Sequence, residues 1–456
     1  MRIPSDMPAP RPRRPKGEQG SNRRRTLLII GAIVAFFLFT SLRGIAGFYT
    51  DYLWFDSLGY DGVFTGVLGA KVALAAIFTA IFFVVCLANL IVADRLAPSD
   101  PPDGPEQEVF DRITETIGKR AGLVRAAIAF LLALLTGVQM SQDWRSWLLF
   151  TNGGDWGQTD AQFGRDLGFY VFKLPFLSSV ADWAFASMLI VLVATIAAHF
   201  VNGGIRMQPV TPGNPRVGPV VTSQVKAHVS VLLGMLALIR AAGYYLERFE
   251  LTTSKLGYVD GAGYTDINAR LPVLNLLLLI SVASFVLFIV NIRRRGWVLP
   301  VLGVGLWGLV AVIAAGIYPQ VIQRLQVDPN ELSRELPYID RNIAATRDAM
   351  NLSGMESVDL TPVSDSSAVD LSDNEATISN VRLWDPGPEF LGQTFSRLEQ
   401  LLPYYRINDV DVDRYEIDGE ISQVVISARD LDTGGVPATS WEARHATYTH
   451  GYGLVM

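Results

Sequence analysis

The sequence predicts a polytopic α-helical membrane domain of about seven transmembrane helices, followed by a mixed α+β extracytoplasmic domain. Three observations carry this expectation. Seven apolar runs approach the length of a bilayer crossing, half of the 456 residues are hydrophobic, and the charge divides sharply after the last run. Positive mean hydropathy in a chain of this size is rare among soluble proteins, so a lipid bilayer is the expected solvent for the first two thirds. From Gln320 onward there are 10 Arg, no Lys and 23 Asp plus Glu, which makes this region about −13 and the rest about +7. Phosphate binding needs Lys and Arg facing the ligand, so nucleic acid is excluded as a partner of the acidic region.

A helix crossing about 30 Å of hydrocarbon needs roughly 20 apolar residues. The runs are Leu27 to Leu42, Val72 to Ala93, Leu123 to Met140, Val180 to Val201, Val229 to Leu246, Leu271 to Val290 and Val298 to Tyr318. The first follows Arg23, Arg24 and Arg25 and resembles a secretory signal. It is longer than a signal core, no small-x-small cleavage site precedes FYTDYLWF, and more runs follow, so it is expected to stay as a span. Residues 1–25 then form a disordered basic cytoplasmic arm, 26–318 the membrane domain, and 319–456 the acidic external domain.

Orientation follows from the arginines and lysines of the short connections, because positive charge disfavours translocation. The amino-terminal arm, the segment with Arg95, Arg112, Lys119 and Arg120, the segment with Arg206, Arg216 and Lys226, and Arg293 to Arg295 all fall on one side of a seven-span chain. The protein is therefore expected in the cell membrane, multi-pass, with its amino terminus cytoplasmic and its carboxy-terminal domain extracytoplasmic. The opposite connections are aromatic: FYTDYLWFDSLGY, DWRSWLLF and FGRDLGFYVFKLPF. Trp and Tyr favour the membrane interface, so these segments are expected as short interfacial helices. An anchoring belt is the plain reading and a lipid-binding groove the sharper one.

Arg240 is the informative charge inside the bilayer. LLGMLALIRAAGYYLE puts it about two thirds across the fifth run, where an unpaired charge costs several kcal/mol. Asp182, Glu247 and Glu250 fall near the same level and are its expected partners. A structural ion pair and a substrate path are both open, and in the second case Arg240, Asp182 and Glu247 are the candidate ligand-binding residues. Asn89, Gln139, His199 and Asn275 are expected to make interhelical hydrogen bonds near the helix ends. Cys86, the only cysteine, excludes an internal disulfide and reads as a small packing residue. No inverted repeat and no acidic ring within the spans supports transport.

In the acidic region, VDPNELSRELPYIDRNIAATRDAMNL has helical spacing of apolar residues. Residues 347–382 are Ser- and Asp-rich and read as a solvated loop with short extended pieces. A helix is expected from Phe390 to Tyr404 with Phe395, Leu398, Leu401 and Leu402 on its buried side. Asp418-Gly419 between DVDVDRYEI and EISQVVISA is a strong hairpin signal. Asp409, Asp411 and Asp413 share one strand face and could bind Ca²⁺ with Asp430 and Asp432, although Arg414 stands where an EF-hand loop needs glycine; a solvated face is the plain reading. His445 and His450 lie on opposite faces of a strand, a poor arrangement for one metal ion, and read as part of a turn. GxSxG, HExxH and P-loop patterns are missing, so no catalytic residue and no cofactor is expected.

The blocks DYLWFDSLGY, FGRDLGFYVFKLPF, VDPNELSRELPYIDRNIAATRDA, ISNVRLWD, INDVDVDRYEIDGEISQVVISARDL and YTHGYG resemble, in that order, the signature blocks of uncharacterised protein family 0182, large membrane proteins mainly of actinobacteria. The resemblance runs from about Arg23 to the end. It implies a multi-pass cell-membrane protein with seven spans and a long extracytoplasmic region, and it implies no reaction, substrate or catalytic residue. Family members continue past YTHGYG, so an incomplete external domain is expected here. The leading functional expectation is a non-enzymatic envelope scaffold or binding protein whose partners, besides the lipid bilayer, are envelope proteins or lipids. The alternatives are a transporter of a lipid or small molecule and an enzyme acting on a lipid-linked envelope substrate.

Overall fold

A computed structural model describes residues 19–98, 120–207, 219–257, 260–356, 358–359, 370–382, 384–398, 402–437 and 440–456. They form two compact units, one of Phe55–Met355 and one of the first helix as far as Trp54 together with Glu356–Met456. The expectations placed on residues 1–18, on Arg112, Lys119 and Arg216, and on much of the Ser- and Asp-rich loop lie outside the described residues.

The Phe55–Met355 unit is a helical bundle. Its elements are α2 (Asp61–Arg95), α3 (Ala121–Gln139), a 3₁₀ turn and the short α4 (Trp144–Asn152), α5 (Leu174–Val201), α6 (Ser223–Glu250), α7 (Leu271–Arg294), α8 (Val298–Val310), α9 (Tyr318–Ile322) and α10 (Glu331–Ala349). A π turn opens each of α5 and α7, extending those helices back to Phe169 and Asp266. Pro175 and Pro272 sit in the first turns, where no intrahelical N–H bond is lost. Thr222 caps α6 by accepting from the Val225 N–H. Between α5 and α6, β1 (Ile205–Met207) and β2 (Pro219–Val221) pair antiparallel.

The long apolar helices other than α6 bury about a third or less of their most apolar stretch and leave the rest exposed, whereas α6 buries half. In α2 the buried residues Ala70, Leu74, Phe78, Phe82, Cys86 and Leu90 recur at every fourth position, while Val72 and Val84 face outward. Phe82, Cys86 and Leu90 meet Ala129 and Ala133 of α3, Val191 and Leu192 of α5, and Leu232 and Leu236 of α6 in the main core. Cys86 is fully buried there, as a packing residue. Gly137 permits the α2–α3 contact, since a Cβ would run into the Thr79 backbone.

Among the described residues six helices are long and apolar enough to cross a membrane: Asp61–Arg95, Ala121–Asn152, Phe169–Val201, Ser223–Thr253, Asp266–Arg294 and Val298–Ala349. They contain the second to seventh expected runs. The first run lies within α1 (Gln19–Ser57), a continuous helix that is not among the six. FYTDYLWF is not a separate interfacial helix but the last turns of α1; DWRSWLLF does form a short helix, α4; and FGRDLGFYVFKLPF passes from a short loop into the π turn and first residues of α5, not a separate helix.

In the other unit, α1 carries Trp54, whose ring meets Trp441 edge-on with centroids 5.6 Å apart, while the Trp441 indole N–H donates to Asp51 at 2.7 Å. The remaining elements are α11 (Glu375–Ile378), α12 (Gln393–Leu398), β3 (Tyr405–Arg406), β4 (Asp411–Ile417), β5 (Glu420–Ala428), β6 (Asp430–Leu431) and β7 (Leu454–Val455). The expected hairpin is present: β4 and β5 pair antiparallel from Asp411↔Ile426 to Ile417↔Glu420. Asp418 (φ 54°) and Gly419 (φ 85°) supply the two left-handed residues that such a tight turn requires. β5 continues the sheet to β7, and β3 pairs with β6. Two expectations are corrected. Among the described residues the segment expected as a helix over Phe390 to Tyr404 forms a π turn (Pro388–Gly392) and α12, with Leu398 and Leu402 exposed and Leu391 buried instead; Leu401 lies outside the described residues. Around residues 370–378 the described part of the Ser- and Asp-rich stretch forms short helical turns rather than extended pieces.

Candidate functional site

A half-open cavity of about 460 Å³ lies where α5 begins, α6 ends and α7 begins. Ser178 and Asp182, one turn apart on α5, form one wall; Glu247 and Glu250 on the last turn of α6 form the second; Arg270, at the start of α7, and Pro319 close it. The spacing explains the convergence, since i and i+4 on α5 and i and i+3 on α6 share a helix face.

Arg240 stands behind this wall. Its guanidinium reaches two turns along α6 to Glu247 at 2.7 Å and lies 4.2 Å from the centroid of the Tyr244 ring and 5.9 Å from that of Phe185. Aromatic faces attract the guanidinium. Gly243 leaves room for this path, because a Cβ would come within 3.2 Å of the Arg240 Nη1. Arg270 is held by Asp266, itself almost fully buried, at 2.7 Å and donates to Ser254 at 3.3 Å. Thus Arg240 answers Glu247 and Arg270 answers Asp266. The Asp182 and Glu250 carboxylates make no ion pair or hydrogen bond among the described residues, so the cavity wall carries surplus negative charge.

Of the residues singled out from the sequence, Asp182 and Glu247 line the cavity and Arg240 pairs with one of them. Arg270, Asp266 and Ser178 were not anticipated. Arg270 and Asp266 fell between two apolar runs and read as connection, although their i,i+4 spacing was a usable signal. The expected interhelical bonds of three polar residues are present. Asn275 accepts from Arg248 at 3.0 Å, Asn89 meets His228 at 3.1 Å, and His199 meets His228 at 3.0 Å.

Loops at the cavity end are fastened by carboxylates. Asp166 accepts from the backbone N–H groups of Trp156, Gly157 and Gly168, which holds its carboxyl below the usual range. Burial pushes the Asp160 carboxyl up, but bonds from Phe163, Tyr170, Arg165 and Gln162 outweigh it and hold the group low. α10 docks on these loops through Arg341 to Gln162 at 2.7 Å and through Glu335, whose two oxygens accept from the Tyr264 N–H.

In the other unit, Asp411 and Asp413 stand two apart on β4, with Asp409 just before it, all exposed. Asp432 pairs with Arg406 at 2.7 Å and Asp430 accepts from Asn408 at 2.7 Å. Among the described residues no group of three His, Cys, Asp or Glu is placed to hold a metal ion. His445 lies in a π turn, not a strand; it stacks on Trp441 at 4.4 Å and its Nδ1 meets the Trp441 carbonyl at 2.9 Å. His450 is exposed beside Thr449.

The profile described as Uncharacterised protein family (UPF0182) matches residues 27–456. The chain belongs to the UPF0182 family. A UPF0182 protein of Frankia casuarinae is 39% identical over 437 residues, covering 94% of this chain and 42% of the relative. One from Nocardioides is 38% identical over 450 residues, 98% of this chain and 44% of the relative, and one from Streptomyces coelicolor is 35% identical over 442 residues, 95% and 43%. The chain spans about two fifths of the length of these UPF0182 relatives. No solved structure matches it.

Proposed function

We propose that this UPF0182 chain is a multi-pass cell-membrane binding protein, with its amino terminus cytoplasmic and the region after the spans extracytoplasmic, and that the cavity receives a small cationic molecule. The observation that carries the binding reading is the convergence of Asp182, Glu247 and Glu250 on a space of about 460 Å³ in which only Glu247 is neutralised by an arginine. That volume lies in the range of small-molecule sites. Membrane insertion is supported by outward-facing residues such as Val84, Leu135, Leu279 and Val312, whose apolar surface is stable only against lipid. In this orientation the cavity opens on the extracytoplasmic side. The acidic region beyond Glu356 is then the part that meets envelope proteins or lipids.

The test is thermal unfolding of the chain in nanodiscs with putrescine as the cationic probe and glutamate as the anionic control. A bound ligand at a hundredfold excess over Kd stabilises by about 2.7 kcal/mol. Putrescine should raise the Tm, glutamate should not, and Asp182→Asn with Glu250→Gln should remove the shift. Equal shifts from both compounds, or a putrescine shift that survives the double substitution, would overturn the reading.

A further inference from the structure

At the end of the bundle opposite the cavity, α5 ends, α6 begins and α2 passes beside them, bringing His199, His228 and Asn89 into one chain of hydrogen bonds. His199 is fully buried and His228 nearly so. Their rings stand almost perpendicular, with His199 Nε2 3.0 Å from His228 Nδ1, and His228 Nε2 lies 3.1 Å from Asn89 Oδ1.

The direction of every proton follows from the last member. The Asn89 amide donates through Nδ2 to the Val85 carbonyl at 2.7 Å, so its oxygen faces His228 and accepts from His228 Nε2–H. His228 Nδ1 must then be the acceptor, and His199 Nε2–H donates to it. His199 Nδ1 is left as a lone pair, buried and without a hydrogen-bond partner among the described residues. Thr195 and Ser187 precede His199 on the same ridge of α5, by four and twelve residues, and their buried hydroxyls likewise have no partner among the described residues. The space beside Nδ1 is small. A Cβ on Gly204 would sit 3.6 Å from Nδ1 but only 2.8 Å from a methyl of Val225.

The charged groups that the packed elements bring to this end are Asp94 on α2, paired with Arg125 of α3, Arg206 on β1, Lys226 on α6, and the exposed Arg293 and Arg294 on α7. Among the described residues none of them makes a hydrogen bond to either imidazole.

We propose that His199 and His228 form a binding site for one proton, received at His199 Nδ1 and shared across the Nε2···Nδ1 bond. Loading adds one proton and breaks no bond: His199 Nε2–H still donates to His228, and His228 Nε2–H still donates to Asn89. The single positive charge is spread over two rings. A second proton would have to take His228 Nδ1, which would break the link and set two cations 3.0 Å apart, so the stoichiometry is one. The site stands apart from the cavity and does not rest on the binding proposed there.

The experiment is nitrogen NMR of the chain labelled with ¹⁵N-histidine in nanodiscs, from about pH 8 to about pH 4. The chain has 4 histidines, and His445→Gln with His450→Gln removes the other two signals without touching the bundle. The expected result is a nitrogen–nitrogen coupling across the His199–His228 bond and uptake of one proton that shifts both rings together. No uptake over this range, independent uptake of two protons, or a pair without the coupling would overturn the proposal.

Discussion

At the cavity end of the Phe55–Met355 unit, Arg240, Glu247, Arg270 and Asp266 meet as ion pairs, whereas at the opposite end His199, His228 and Asn89 meet through uncharged hydrogen bonds. The difference follows exposure. Arg240 and Glu247 keep 25% and 30% of their side-chain surface open, so water shares the cost of their charges, while His199 keeps none. Burying an ion is far more costly than burying a neutral, satisfied imidazole. Apart from Asp266, which is buried but paired with the partly open Arg270, the bundle places formal charge where solvent reaches and neutral polar groups where it does not.

The largest expected effect comes from removing one charge at the first end. Glu247→Gln leaves the Arg240 guanidinium half-buried against Tyr244 and Phe185 without its anion. The loss should be roughly 2 to 3 kcal/mol, below the value for a fully buried pair because both groups are partly solvated. Arg240→Met combined with Glu247→Leu should recover most of it, since the stranded charge is then gone. Unfolding of the single and double variants in detergent measures the coupling. Strictly additive losses would mean that the two groups do not act as a pair.

At the neutral end, Asn89→Leu deprives His228 Nε2–H of its acceptor in a buried site. An unsatisfied buried donor costs about 1 to 3 kcal/mol, and leucine recovers part of this through packing beside Val85 and Leu90. The net loss should be about 1 kcal/mol, smaller than for Glu247→Gln and independent of salt, whereas the Arg240 pair should weaken as ionic strength rises. A salt-dependent Asn89→Leu loss would contradict the assignment of a neutral chain.

These two ends also divide what the sequence disclosed from what it hid. Six of the seven expected runs fall in helices long and apolar enough to span, because a stretch of about 20 apolar residues is a local property. The Asp418-Gly419 turn was legible for the same reason. Arg240 drew notice because one charge stands out in an apolar run, and its depth in the bilayer named Asp182, Glu247 and Glu250 as partners, of which Glu247 makes the pair. His228 passed as part of a connection, since only the α5–α6 packing brings it to His199, 29 residues away. Arg270 and Asp266 were hidden likewise, because the cavity is assembled from four chain segments that hydropathy cannot order in space.

The smallest expected effect separates the loops at the charged end from the ion pairs beneath them. Asp160 and Asp166 both have carboxyls held below their ordinary range by hydrogen bonds to the ionised form. Their folded pKa lies below the unfolded one, so the stability they contribute is present above the ordinary carboxylate value of about 3.9 and is lost as the pH falls through the folded value. Asp160→Asn keeps the shape but weakens the acceptor for three backbone N–H groups and the Tyr170 hydroxyl, at a cost of roughly 1 kcal/mol near neutral pH because the site is partly open to solvent. The same variant should show a shallower decline in Tm between about pH 5 and about pH 2, since the group that would have been protonated is already neutral. Glu247→Gln should not flatten that decline in the same way, because its cost is a stranded arginine charge and not a lost carboxylate anchor. If Asp160→Asn leaves the acid limb unchanged, the loop carboxylates do not set it, and the ion pairs around the cavity become the groups that do.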